Sequence, residues 1–175
     1  MEALGGGPWF SCLYLASGYR QMQVKEEDRP KTAFSTHRGQ FPWRVMPFGL
    51  TNGPARFTRL MNLALSEPTS THCLAYLDDI IIWTPPFEEH LRRLGLLFDR
   101  IRTATLKLKP TQCQFLKREL SFLGHVVSSK GIKTDPHKVE SVRPWPIPVD
   151  IKEFQSFIGL AIYYKAVYFW NLDHR

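Results

Sequence analysis

The chain has 175 residues and a hydrophobic share of 43%, enough for a buried core and against wholesale disorder. It carries 23 lysines and arginines against 16 acidic residues, a formal charge of +7, which favours a polyanionic partner, nucleic acid ahead of a membrane surface because aromatics are interleaved with the basic residues. It contains no unbroken apolar run of ~18 residues and its N-terminus lacks a basic-then-apolar pattern, so neither a membrane span nor a secretory signal is expected.

Residues 1–9, with Gly5-Gly6-Gly7-Pro8, read as a flexible lead-in. In "RQMQVKEEDRPKTAFST" Met22 and Val24 alternate with glutamines, and Thr32, Phe34 and Thr36 favour strand, giving two strand-like runs around a charged turn at Lys25–Pro30. "HRGQ" is a second turn and "FPWRVM" a third strand, the pattern of antiparallel hairpins. In "NGPARFTRLMNLAL" the period changes: Phe57, Leu60, Met61, Ala64 and Leu65 recur at helical spacing, and Pro54 suits a first turn. "CLAYLDDIIIW" reads as strand, acidic turn, strand. A second helix follows Thr84-Pro85-Pro86, with Phe87, Leu91, Leu94, Phe98 and Ile101 on one stripe, acids at its start and arginines near its end. "LKLKPTQCQF" and "LSFLGHVVSSKGIKT" return to strand character. From Asp135 the pattern is helical, is interrupted at the proline-rich "RPWPIP", and resumes after Asp150, which with Glu153 forms a capping-box pattern. The expected class is α+β, with a mixed body over residues 10–132 and a small helical lobe over 133–175.

Cys12, Cys73 and Cys113 are far apart, with no C-x-x-C, and the six histidines show no zinc spacing with them. A disulfide framework is not expected, and a reducing compartment, cytoplasm or nucleus, fits.

The chemistry centres on "AYLDDIIIW". Adjacent aspartates on a straight strand would point apart, but at a hairpin turn both can reach nearly one point. Magnesium takes carboxylate and phosphate oxygens together, and a pair of such ions clamps the attacking and leaving oxygens of phosphoryl transfer. Asp78 and Asp79 are therefore candidate metal ligands; a plain solvated turn is the alternative.

"YLDD" occurs here in order with "MPFGLTNGPARF", "FLGHVVSSKGIKTDPHKVESV" and "SFIGLAIYY". This ordered set, from about Phe10 to Tyr164, resembles the reverse transcriptase of gypsy-type long-terminal-repeat retrotransposons. The resemblance implies a palm, an antiparallel sheet backed by helices, followed by a helical thumb. It implies RNA-directed DNA polymerisation with Mg2+ or Mn2+, acting on an RNA template, an RNA–DNA hybrid or DNA duplex, and a deoxynucleoside triphosphate. By the same resemblance Asp78 and Asp79 are the metal ligands and Tyr76 is the motif's tyrosine. Ala16, Ser17 and Gly18 offer backbone amides to the triphosphate. Tyr19 lies under the deoxyribose and Phe48 lines the nucleotide pocket. Phe122, Leu123, Gly124 and His125 fall at the primer grip, and Lys130, Lys133, Lys138 and Arg143 are available to phosphates.

Three departures from the family pattern bear on activity. The metal-binding aspartate of "LDLxSGY" is Tyr14 in "LYLASGY"; a phenol with a pKa of ~10 is uncharged at neutral pH and a poor magnesium ligand. The family's basic fingers strands are expected upstream of this motif, and most of that subdomain is missing from the sequence; a partner chain and a longer gene product are the sources that could supply it. "KAVYFWNLDHR" drifts from the family's "RRFI". The expectation is a polymerase-family domain with a weakened two-metal site and no polymerase activity of its own. A non-catalytic nucleic-acid-binding relic and a translated fragment without function are the alternatives.

Overall fold

The computed structural model describes residues 8–65, 72–135, 147–159 and 162. In chain order these form β1 (Trp9–Tyr14), β2 (Phe34–Thr36), β3 (Gly39–Phe41), α1 (Gly53–Leu65), β4 (Cys73–Tyr76), β5 (Asp79–Thr84), α2 (Phe87–Thr103), β6 (Gln114–Lys117), β7 (Glu119–Phe122), β8 (His125–Ser128) and β9 (Gly131–Thr134). A four-stranded sheet runs in the order β4-β5-β1-β6, beside a β2–β3 hairpin and a β7-β8-β9 sheet. Every pairing is antiparallel.

Apolar residues fill both faces of the central strands, so "FSCL" and "IIIW" bury nearly every side chain. On one face Leu13, Ile80 and Ile82 pack against Phe57 and Met61 of α1 and Leu94, Leu97 and Ile101 of α2. On the other, Phe10, Cys12, Ile81 and Trp83 pack against Leu120, Phe122, Val127 and Ile132 of the β7-β8-β9 sheet. Each such fully buried side chain contributes roughly 1.5–3 kcal/mol of transfer free energy.

A buried polar link ties α2 to the sheet. His90 is fully buried, with Nε2 2.8 Å from Ser11 Oγ and Nδ1 2.9 Å from Thr84 Oγ1. Thr84 donates its hydroxyl to the Pro86 carbonyl, and Ser11 Oγ accepts from the Leu116 amide. This assigns Nδ1–H as the donor to Thr84 and Nε2 as the acceptor from Ser11, and the neutral imidazole satisfies every group. Burial holds the His90 pKa below its ordinary value, in keeping with that tautomer.

The helices and the hairpin turns fall where periodicity and turn residues place them. The segment before α1 differs. Gly18–Gln21 and Glu26–Thr32 are 3-10 helices, so the expected charged turn is helical. The expected strand around Met22 and Val24 shrinks to a bridge between Gln23 and Val45, because "EEDRPK" closes its own ion pairs at i,i+3 and draws the chain into a local coil. The third strand stops at Phe41, before Pro42, which has no N–H for a ladder. Pairing of β8 with β9 carries the last sheet through Lys133 and Thr134, past the expected 132/133 division. The expected helix after Asp135 falls mostly on 136–146, outside the described residues. Residues 151–159 are helical. Asp150 Oδ1 accepts from the Glu153 amide at 2.7 Å, and Glu153 Oε2 accepts from the Val149 amide at 3.0 Å, a reciprocal cap.

Candidate active site

Tyr76 pairs with Asp79 across β4 and β5, leaving Leu77 and Asp78 as a two-residue turn. Leu77 takes a left-handed φ of 51°, the conformation that lets so short a turn follow the strand twist. The next strand is β1, and its Tyr14 lies directly opposite Asp79. The Leu15 amide bonds the Asp78 carbonyl at 2.9 Å, fixing the two segments at this end of the sheet. Directly opposed residues project from the same face, so Tyr76, Asp79 and Tyr14 share one face.

The Asp78 carboxylate turns towards Gly18. The Gly18 amide lies 3.4 Å from Asp78 Oδ2. A β-carbon at residue 18 would fall 2.2 Å from Asp78 Oδ1 and 2.5 Å from the Phe57 ring, so only glycine fits. Asp78 Oδ1 is buried with no hydrogen-bond partner. Burial raises the Asp78 pKa, and burial followed by the neighbouring Asp78 charge raises that of Asp79. Among the described residues no lysine or arginine forms an ion pair with either aspartate. The pair is thus short of positive charge.

Tyr14 does not relieve it. Burial, then the neighbouring Cys12, pushes its phenol pKa above the ordinary range, so the side chain is neutral at physiological pH. Burial also raises the Cys12 thiol to about 12, and the Tyr14 amide points to Cys113 Sγ at 3.5 Å. Among the described residues no three histidine, cysteine or acidic side chains cluster as metal ligands. Two carboxylates, one with an orphaned buried oxygen, fit one hard cation that fills its remaining positions from a bound phosphate or water; they do not make a three-carboxylate cage.

The expected nucleotide-contacting residues gather on the other side of Asp78, with two changes. The Ala16 amide bonds the Lys107 carbonyl at 2.9 Å and the Gly18 amide bonds the Asp78 carboxylate, so two of the three donors expected there for a triphosphate are already taken. Ser17 has a left-handed φ of 55° and an exposed position. Tyr19 packs edge-on to Phe57 at 5.1 Å and Phe48 at 5.5 Å. Tyr19, Phe48, Gly49, Leu50 and Pro54 line a cleft of about 290 Å³, and Phe48 is 65% exposed in its mouth.

Phe122 and His125 close the β7–β8 hairpin around Leu123 and Gly124, both at positive φ, the type I′ pattern. Phe122 is fully buried under the face that carries Tyr14, and Leu123 and Tyr14 pack against that same cluster. His125 Nδ1 donates to the Leu123 carbonyl at 3.0 Å. Lys130 and Lys133 are exposed; Lys138 and Arg143 lie outside the described residues. Sequence spacing gave no sign of the Gly18–Asp78 contact or the commitment of the Ala16 amide, since both join segments far apart in the chain.

Residues 1–127 match the family model "Reverse transcriptase (RNA-dependent DNA polymerase)". The chain belongs to the reverse transcriptase family. It is 46% identical over 162 residues to the retrovirus-related Pol polyprotein from transposon 297 of Drosophila melanogaster, covering 93% of this chain and 15% of that protein. The Pol polyprotein from transposon gypsy of the same fly is 35% identical over 163 residues, 93% of this chain and 16% of its own length. The chain therefore spans about a sixth of these curated relatives. Among solved structures, a foamy viral protease-reverse transcriptase in complex with double-stranded DNA superposes with a TM-score of 0.82 at 25% identity, over 90% of this chain and 28% of that one. The foamy viral enzyme in complex with RNA/DNA hybrid gives 0.78 at 25% identity, over 91% and 22%. The family uses divalent metal ions, and the fold is that of a reverse transcriptase palm.

Proposed function

We propose that this reverse transcriptase domain binds template–primer duplex, RNA–DNA hybrid or DNA, across the face bearing Tyr76, Asp79 and the β7–β8 hairpin. A deoxynucleoside triphosphate enters the cleft at Tyr19 and Phe48. In the family's reaction the primer 3′-hydroxyl attacks the α-phosphate and pyrophosphate leaves. Asp78 and Asp79 would hold the divalent cation, which when bound supplies positive charge to the phosphates. Tyr19 and Phe48 position the sugar and base, the Ser17 amide faces the phosphates, and the β7–β8 hairpin holds the primer end. The observation that carries the reading is the register: Tyr14 stands opposite Asp79, where the family's third carboxylate belongs. The chain therefore binds its substrates without detectable primer extension. Loss of one electrostatic element of this kind costs at least ~100–1,000-fold in rate.

The test pairs two measurements on one preparation. Titration of a labelled hybrid duplex should show binding whose log–log salt slope steepens by roughly 0.9 per neutralised phosphate. Primer extension with Mg2+ or Mn2+ should give no product. Efficient extension by the chain as it stands would overturn the role given to Tyr14, and salt-independent binding would overturn the duplex cleft.

A further inference from the structure

The hydrogen-bond ladder of β1 continues past the strand's end and is interrupted at one pair. Leu15 bridges Leu108 in antiparallel fashion, with the Lys109 amide on the Tyr14 carbonyl at 2.8 Å and the Ala16 amide on the Lys107 carbonyl at 2.9 Å. In such a ladder Ala16 and Lys107 form the next mutually bonded pair, and its second bond would run from the Lys107 amide to the Ala16 carbonyl. A side chain takes that place. The Lys107 amide donates to Gln21 Oε1 at 2.6 Å, and Gln21 Nε2 donates to the Ala16 carbonyl at 2.8 Å and to the Lys107 carbonyl at 2.9 Å. The carboxamide thus uses its oxygen and both its N–H groups. The reverse orientation would set those N–H groups against the Lys107 amide.

The wedge falls where the chain leaves the sheet for the Tyr19–Phe48 cleft. Ser17, next after Ala16, takes a left-handed backbone with φ 55° and ψ 59° and no side-chain cap, a conformation that a non-glycine residue holds only where its surroundings enforce it. Gly18–Gln21 then coil as a 3-10 helix. Gln21 reaches back five residues to Ala16 and so closes the loop that carries Ser17, Gly18 and Tyr19. That loop has little slack. Gly18 lies against Asp78 and Phe57 with no room for a β-carbon, and Tyr19 packs edge-on to both Phe57 and Phe48.

We propose that Gln21 is a positioning residue for nucleotide selection: its carboxamide holds the ladder open by one pair and so sets the Ser17 amide for the phosphates and the Tyr19 ring for the sugar. The proposal rests on the reading of the Tyr19–Phe48 cleft as the nucleotide site. Gln21 itself touches no substrate. Without the carboxamide, Ala16 and Lys107 close their own pair, which draws Ser17–Tyr19 towards Lys107 and away from the cleft.

The test titrates the full chain, in the presence of Mn2+, with a fluorescent deoxythymidine triphosphate and with its ribose counterpart, in wild type, Gln21→Leu and Gln21→Glu. Leucine removes every bond of the wedge. Glutamate keeps the acceptor for the Lys107 amide and turns a carboxylate on the Ala16 and Lys107 carbonyls. Each variant should lose about tenfold or more in deoxynucleotide affinity, the low end for one hydrogen bond to a charged group, and the preference for deoxyribose over ribose should fall towards unity. A general loss of stability lowers both affinities together and keeps their ratio, and that outcome overturns the proposal. Wild-type affinity and preference in Gln21→Glu overturn it too. If Gln21→Leu fails to fold, Gln21→Glu carries the test. A wild type that takes up neither nucleotide removes the proposed nucleotide cleft, and the wedge is then decided by long-range HNCO spectra. The Lys107 amide nitrogen should couple to the Gln21 side-chain carbonyl in wild type and to the Ala16 carbonyl in Gln21→Leu, with the Ser17, Gly18 and Tyr19 resonances displaced. Resonances of Ser17–Tyr19 that stay in place overturn the positioning role.

Discussion

The β1–β5 ladder and the β2–β3 hairpin are both antiparallel pairs rich in aromatic or β-branched residues, and they meet opposite fates. The ladder pairs six positions and is covered by helices on one face and a second sheet on the other. The hairpin pairs three, and every strand residue is open to solvent. The difference is cover rather than composition. Tyr14 and Asp79 sit at the end of the ladder, so their opposition is set by strands that are paired along their length and covered on both faces. The hairpin is held by its own rings and a few bonds, such as the Trp43 amide to Thr32 Oγ1 at 3.1 Å.

The comparison is broken most forcefully at Phe57, which is fully buried between Tyr19, Gly18 and the sheet. Phe57→Ala should cost ~3–5 kcal/mol in urea unfolding, whereas Phe34→Ala, which removes only the cross-strand ring contacts of the open hairpin, should cost about 1 kcal/mol. Equal losses at the two positions would deny the division into covered and open pairs. A smaller break is His90→Leu. It keeps the volume, leaves the buried Ser11 hydroxyl without its acceptor and removes the imidazole N–H that Thr84 Oγ1 accepts, which should cost ~1–3 kcal/mol. Circular dichroism against urea reads it, and a neutral result would mean that the network carries no stability.

Much of this division was legible in the sequence. Period 3.6 placed α1 and α2, the apolar flanks of "YLDD" placed β4 and β5, and Asp150 with Glu153 announced a cap that is present. The illegible parts share one cause: they are contacts between segments distant in the chain. Nothing in the spacing of Ser11, Thr84 and His90 says that they meet. Nothing in "LYLASGY" says that Lys107 takes the Ala16 amide or that the Asp78 carboxylate fills the space Gly18 leaves. The 3-10 helix at Glu26–Thr32 was missed because its charges suggested a solvated turn, when those charges close on one another locally. The "LYL" departure was legible as chemistry; its position opposite Asp79 became visible only once the strands were paired.

That position supplies a sharper test of the ladder's end. Tyr14→Asp places a third carboxylate beside two that already lack a cation. In the absence of metal it should lower stability, because like charges in a half-buried site repel. With metal it should tighten Mn2+ binding about tenfold, or ~1.4 kcal/mol, measured by calorimetry. Equal affinity with tyrosine and aspartate would show that residue 14 does not face the metal site.

The smallest expected effect is the pH dependence of stability, because two sets of groups oppose each other. Burial lowers the pKa of His72, His90 and His125 from 6.5. The unfolded chain therefore takes up protons first as pH falls below that value, and stability is lost until the folded values are passed. Asp78 and Asp79 are raised above 3.8. Their contribution is fully present below that value and is lost as pH rises through their folded pKa, so at neutral pH the pair weakens the fold. Between neutral pH and about 4 the histidines make the protein less stable and the carboxylates make it more so. Asp79→Asn separates the two. It should raise the urea midpoint at pH 7 and steepen the loss on acidification, since the opposing carboxylate gain is removed. Saturating Mn2+ should steepen the loss in the wild type in the same way, because the cation favours the charged carboxylates. A variant less stable than wild type at pH 7 would mean that Asp79 is compensated by a charge outside the described residues, and the shortage of positive charge at the ladder's end would not exist.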